Sequence, residues 1–217
     1  MKKYLLIPVF LALMGCQRYK TITEGSSGVI HLSDPKSVTY TVLMAGQSNM
    51  ERIEWYAQDA LKTSIKGHRN VQNVVLIPCA VGGTWSGQWL PGAGLLESCV
   101  EAAKGQKVDA IVYWQGESDA YNSITNWVDH FTQTVAGFRA KLGNVPVVFA
   151  QIAFTTDPDW NRGWESIKQQ QASVNIPCVK MIKTDDLAVL ADIVHINSES
   201  AKRIADRFGV ALGDSNS

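Results

Sequence analysis

Hydrophobic and polar positions follow two rhythms along this chain. Short, nearly unbroken apolar runs rich in β-branched residues recur at Val38 to Ala45, Val71 to Ile77, Val108 to Trp114, Val145 to Ala153 and Pro177 to Thr184. Runs of that length read as strands buried on both faces. Between them lie stretches with helical spacing: Met50 to Lys66, Leu95 to Lys104, Ile124 to Leu142 and Trp164 to Val174, then a closing helix from Ser198 to Phe208 with Ile204 and Phe208 on one face. Buried strands that alternate with helices need crossover connections. The expected fold is therefore α/β, a three-layer α/β/α sandwich on a parallel sheet of about five strands. Ligands of such sheets bind beyond the carboxyl ends of the strands, so the loops there are where chemistry is expected. No repeat or low-complexity block interrupts this region, and residues 38–217 are read as one domain.

The amino terminus has a different character. Lys2 and Lys3 precede the apolar run Tyr4 to Met14, which is too short to span a bilayer but suits a secretory signal. Its end, Leu13-Met14-Gly15-Cys16, resembles a bacterial lipobox. That resemblance implies removal of residues 1–15, lipidation of Cys16, and a polar tether over 16–37. The protein would then be exported and held at a bacterial envelope through lipid alone, at the outer membrane in a Gram-negative host. Cys79, Cys99 and Cys178 would meet an oxidising compartment. A Cys79–Cys99 bridge would close the loop Gly82 to Gly94, and Cys178 in the fifth strand is expected to be a free apolar residue.

Composition narrows the function. With 46% hydrophobic residues, 18% charged residues and seven Trp in 217 positions, the chain has the makings of a packed core and not of a disordered segment. Twenty basic residues balance twenty acidic ones with no basic run, which argues against nucleic-acid partners. No His-x-x-x-His or close cysteine pair suggests a metal, and no cofactor is expected.

Three segments carry candidate chemistry. Gly46-Gln47-Ser48-Asn49-Met50 directly follows the first strand. A serine there can project its hydroxyl from a tight turn, while the next helix offers N–H groups and a positive dipole end to an oxyanion. The alternatives are a helix cap or a phosphate turn. Late in the chain, Asp192-Ile193-Val194-His195 spaces a carboxylate and an imidazole so that one can orient the other as a base. His31, His68 and His130 read as surface or satisfied residues. At the third strand's end, Gln115-Gly116-Glu117-Ser118-Asp119 offers a glutamine amide as a donor, and the Gly82-Gly83 loop after the second strand offers another N–H.

Taken in this order, Gly-Gln-Ser-Asn, the Gly-Gly loop, Gln-Gly-Glu-Ser-Asp and the final Asp-x-x-His resemble the SGNH hydrolase superfamily, in its sialate O-acetylesterase-like branch of carbohydrate esterases. The likeness spans Val38 to about Phe208. It implies a flavodoxin-like fold and removal of O-acetyl groups from carbohydrates such as sialic acid, xylan or a surface polysaccharide. Ser48 would be the nucleophile, His195 the base and Asp192 its orienter. The Ser48 N–H, the Gly83 N–H (or that of Gly82) and the Gln115 side chain would hold the oxyanion. Gln47, Asn49, Glu117, Trp85, Trp89 and Trp160 would line the substrate site, the Trp rings stacking on sugar faces; Glu117 is also read as bracing its own loop or orienting the base. Two other readings are an SGNH lipase or thioesterase on short acyl chains, and a glycan-binding lipoprotein without catalysis.

Overall fold

A computed structural model describes residues 39–155 and 161–214; the expected signal, tether and lipidation site Cys16, together with Trp160, lie outside them. Five strands, β1 (Thr39–Gly46), β2 (Asn73–Pro78), β3 (Ala110–Trp114), β4 (Val147–Ala150) and β5 (Val179–Ile182), form one sheet in the order β2-β1-β3-β4-β5. Every pairing is parallel. Successive side chains of a strand point to opposite faces. Val42, Met44, Val112 and Trp114 thus enter one core and Leu43, Ala45, Ile111 and Tyr113 the other. The first core is closed by α1 (Ser48–Tyr56), α2 (Gln58–His68) and α7 (Ser198–Gly213). The second is closed by α3 (Leu95–Ala102), α5 (Trp127–Leu142) and α6 (Asn161–Ala172). Two buried faces explain why the strands read as continuous apolar runs instead of alternating ones.

The strand order places the site. From β1 the chain moves outward to β2, then crosses back to β3 on the other side of β1, so the loops after β1 and β3 diverge and leave a crevice between them. Gly46 stands at its edge with φ +131, and a Cβ there would lie 2.0 Å from the carbonyl oxygen of Trp114. Only glycine permits that approach, which Gln47 seals by donating its N–H to Trp114 O at 2.8 Å.

The structure departs from the sequence pattern in three places. The helix expected over Met50 to Lys66 is two helices broken at Ala57, φ −140. Ile53, Leu61 and Ile65 all reach one core; on an unbroken helix the last two would be rotated about 80° and 120° from Ile53, and the break removes that conflict. A short helix, α4 (Glu117–Tyr121), precedes α5, which begins at Trp127 and not at Ile124; α4 buries Glu117 and Asp119, so it has no apolar stripe to announce it. Cys178 is disulfide-bonded and not free. It precedes β5, half-buried and with φ +58, outside the strand interior where a thiol would simply pack.

Candidate active site

The turn after β1 and the loop before α7 meet. Ser48 opens α1, and its Oγ lies 2.8 Å from His195 Nε2. On the far side of the ring, His195 Nδ1 is 2.8 Å from Asp192 Oδ2. The other carboxylate oxygen accepts the backbone N–H groups of His195 at 2.9 Å and Val194 at 3.1 Å. One side chain therefore both shapes the turn and orients the imidazole. Burial opposes ionisation of Asp192, but these hydrogen bonds from the His195 backbone, its ring and Val194 prevail and hold the carboxyl below its ordinary range. An ionised Asp192 keeps the proton on Nδ1 and turns the Nε2 lone pair toward the Ser48 hydroxyl. The base loop closes on itself through a Val189–Ile196 bridge and the Leu190 N–H to His195 O bond of 2.7 Å, with Ile193 at φ +54.

The backbone N–H groups expected to serve an oxyanion lie in the turns after β1 and β2. As first residue of α1, Ser48 has no carbonyl one turn behind it to take its N–H. The Gly82 N–H donates to Glu51 Oε1 at 2.9 Å, which leaves Gly83, exposed and at φ +73, as the glycine of the pair with a donor to offer. Sequence reasoning passed over the anchors of this loop. Glu51 holds Gly82, and Glu54 Oε1 accepts the Cys79 and Ala80 N–H groups at 3.1 Å each. Their three-residue spacing on α1 was the available signal. Burial pushes the Glu54 carboxyl up to about 7 against the pull of those two bonds. A Cys79–Cys99 disulfide, Cα atoms 5.3 Å apart, closes the base of the loop as expected.

Behind the serine lies a buried polar layer, and it reassigns several expected contacts. Gln115 is fully enclosed; its amide N–H groups face Asp119 Oδ2, Gln47 Oε1 at 3.3 Å and the Thr84 carbonyl at 3.3 Å, while its oxygen accepts the Trp127 indole N–H at 2.8 Å. That amide is committed to the loop framework and not to an oxyanion. Gln47, also buried, accepts the Gly116 and Ser118 N–H groups at 3.3 Å. Asn49 and Trp89 are fully buried and present no face to a substrate; Trp89 donates its indole N–H to Thr84 Oγ1 at 3.1 Å. Glu117 is buried as well, against Asn49 at 2.7 Å. Burial raises the Asp119 carboxyl above its usual range despite bonds from Ser86 and Gln115. Ser86 Oγ also meets His130 Nδ1 at 2.7 Å, so His130 is a satisfied histidine. Of the expected aromatic rim, Trp85 is 40% exposed, edge-on to His130. Among the described residues, no group of three His, Cys, Asp or Glu side chains is placed to hold a metal ion.

A parallel α/β/α sheet with a serine turn after β1 and Asp-x-x-His before the last helix defines the class: an SGNH-like fold of the kind found in carbohydrate esterases. Residues 53–213 match the family described as carbohydrate esterase, sialic acid-specific acetylesterase, and the chain belongs to that family of carboxylic ester hydrolases. The match begins just after the Ser48 turn. A probable carbohydrate esterase of Arabidopsis thaliana is 21% identical over 150 residues, 65% of this chain and 56% of that relative's length. In fold, the chain is similar to a solved protein from Arabidopsis thaliana (TM-score 0.65, 16% identity, 82% of this chain and 97% of that one). It is similar also to a carbohydrate acetylesterase from Xanthomonas citri (TM-score 0.58, 14% identity, 80% and 55%) and to NanS (TM-score 0.62, 14% identity, 80% and 96%).

Proposed function

We propose that this protein is a serine esterase that removes O-acetyl groups from carbohydrates. The observation that carries the reading is the unbroken chain Ser48 Oγ, His195, Asp192, with both links at 2.8 Å. Ser48 attacks the acetyl carbonyl while His195 Nε2 takes its proton. The Ser48 and Gly83 N–H groups face the developing oxyanion, aided by the positive end of α1. His195 then returns the proton to the departing sugar hydroxyl, and water repeats the sequence on the acetyl-serine. Trp85, on the rim, offers a ring face to a sugar, and family membership favours an acetylated saccharide over a long acyl chain. The basic-apolar leader and the Cys79–Cys99 bond support an exported, lipid-anchored protein. Ser48→Ala tests the chemistry: turnover of p-nitrophenyl acetate and of acetylated sialic acid or xylan should fall by more than about a thousandfold with the fold intact. Undiminished turnover in that variant, or none in the wild-type protein, overturns the proposal, the second outcome leaving a glycan binder.

A further inference from the structure

Asn49 joins three parts of the site. Its Nδ2 donates to Glu117 Oε1 at 2.7 Å and to the Val194 carbonyl at 3.1 Å, and its Oδ1 accepts the Ile196 N–H at 3.0 Å. Val194 and Ile196 are the residues on either side of His195, and Asn49 itself follows Ser48. One amide thus grips the backbone before and after the base while standing next to the nucleophile. That grip works only in one orientation, with nitrogen toward Val194 and oxygen toward Ile196. An amide carries donor and acceptor ends of nearly equal shape, so something must decide which way it points. Glu117 does so: an ionised carboxylate can only accept, and it demands the nitrogen.

Besides Asn49, the only donors that support the Glu117 carboxylate are its own N–H and the Trp114 indole, both more weakly. The side chain is buried at the start of α4, and Oε2 has no hydrogen bond. Burial pushes its carboxyl up to about 6, while the Asn49 bond and the nearby His195 ring favour the ionised form. A buried carboxylate whose one short hydrogen bond goes to a single amide is a costly way to fill space. It is far less costly to understand if that amide sets the distance between nucleophile and base.

We propose that Glu117 is a positioning residue for the reaction, fixing the Asn49 amide so that the His195 backbone is held in register with Ser48. The proposal rests on the Ser48–His195 assignment above. It gives Glu117 no contact with substrate, in contrast to its expected place in the substrate site, and develops the other expectation, that it helps orient the base.

The test compares Glu117→Leu, Glu117→Gln and Ser48→Ala, using hydrolysis of p-nitrophenyl acetate and the rate at which a fluorophosphonate labels Ser48. Glu117→Leu should lower kcat about tenfold or more with KM changed less than about twofold, and should slow labelling to a similar degree. Glu117→Gln, whose oxygen can still accept from Asn49, should recover most of both rates. Wild-type kcat and labelling in Glu117→Leu, a loss confined to KM, or no recovery in Glu117→Gln would each overturn the proposal. If Glu117→Leu does not fold, Asn49→Ser takes its place, since a serine hydroxyl cannot hold both peptide groups; the same slowing is expected, and wild-type rates would overturn the idea. Activity surviving in Ser48→Ala would instead bring down the esterase assignment itself.

Discussion

The two sides of the site are held by different means. Around the serine, the side chains of Gln47, Asn49, Gln115, Glu117 and Asp119 are all buried, drawn from α1, the end of β3 and α4, and bonded to one another across long stretches of sequence. On the base side, His195 and Asp192 keep 34% and 47% of their side-chain surface exposed. Their bonds are mostly to residues within a few positions in the same loop. A nucleophile needs a fixed address, which tertiary packing supplies. A base must take and release a proton, which is easier where water can solvate the imidazolium. The Asn49 grip is the main crossing between these two regimes.

Changing the exposed side should cost activity without stability. Asp192→Asn leaves the loop's backbone acceptor in place but removes the charge facing Nδ1. It should lower kcat about a hundredfold, less than for a buried triad carboxylate because water partly replaces the charge, and leave the melting temperature nearly unchanged. A large drop in melting temperature would show that the loop is not locally held. Changing the buried side should do the reverse first: Gln115→Ala strands the Trp127 indole N–H in the interior and removes one of the two donors to Asp119 Oδ2, which keeps the Ser86 N–H. Urea unfolding should show a loss of about 1–3 kcal/mol. A loss of turnover without that instability would return Gln115 to the oxyanion.

The smallest effect sharpens the contrast through pH. Glu117 is raised from 4.5 to about 6 in the folded protein. Across that window the unfolded chain ionises while the folded one still holds its proton, so stability falls as pH rises. The Glu117 share of that fall is on the order of 1–2 kcal/mol and should be missing from Glu117→Gln, read as the difference between the two proteins in unfolding free energy from pH 4 to pH 7. Glu54 and Asp119, both raised by burial, act in the same direction and Asp192, held low, in the opposite one, and all three are common to both proteins.

The sheet and the Ser48–His195–Asp192 spacing were legible because they are written in local pattern: apolar runs for strands buried on both faces, a serine after a glycine turn, a carboxylate three residues from an imidazole. What escaped was orientation. Asn49, in the first turn of α1, and Trp89, in the segment after β2, lie on the right face, and nothing in their sequence neighbourhood shows that the chain folds over them. The same holds for Gln115, whose amide turns toward Trp127 and Asp119 because α4 and α5 bring those partners beneath it. Helix α4 itself has no apolar period, since two of its buried positions carry carboxylates, satisfied by Asn49, Ser86 and Gln115.

Ser48 and His195 stand 147 positions apart, the serine after the first strand and the histidine just before the last helix, which packs on α1 and α2. During synthesis the proposed nucleophile therefore leaves the ribosome long before its proposed base. A nascent chain, or one cut short ahead of residue 195, carries a serine with nothing to deprotonate it. On the proposed assignment, acyl-transfer reactivity arrives only with the closing segment, and the order of translation delays the onset of chemistry until the sheet is complete.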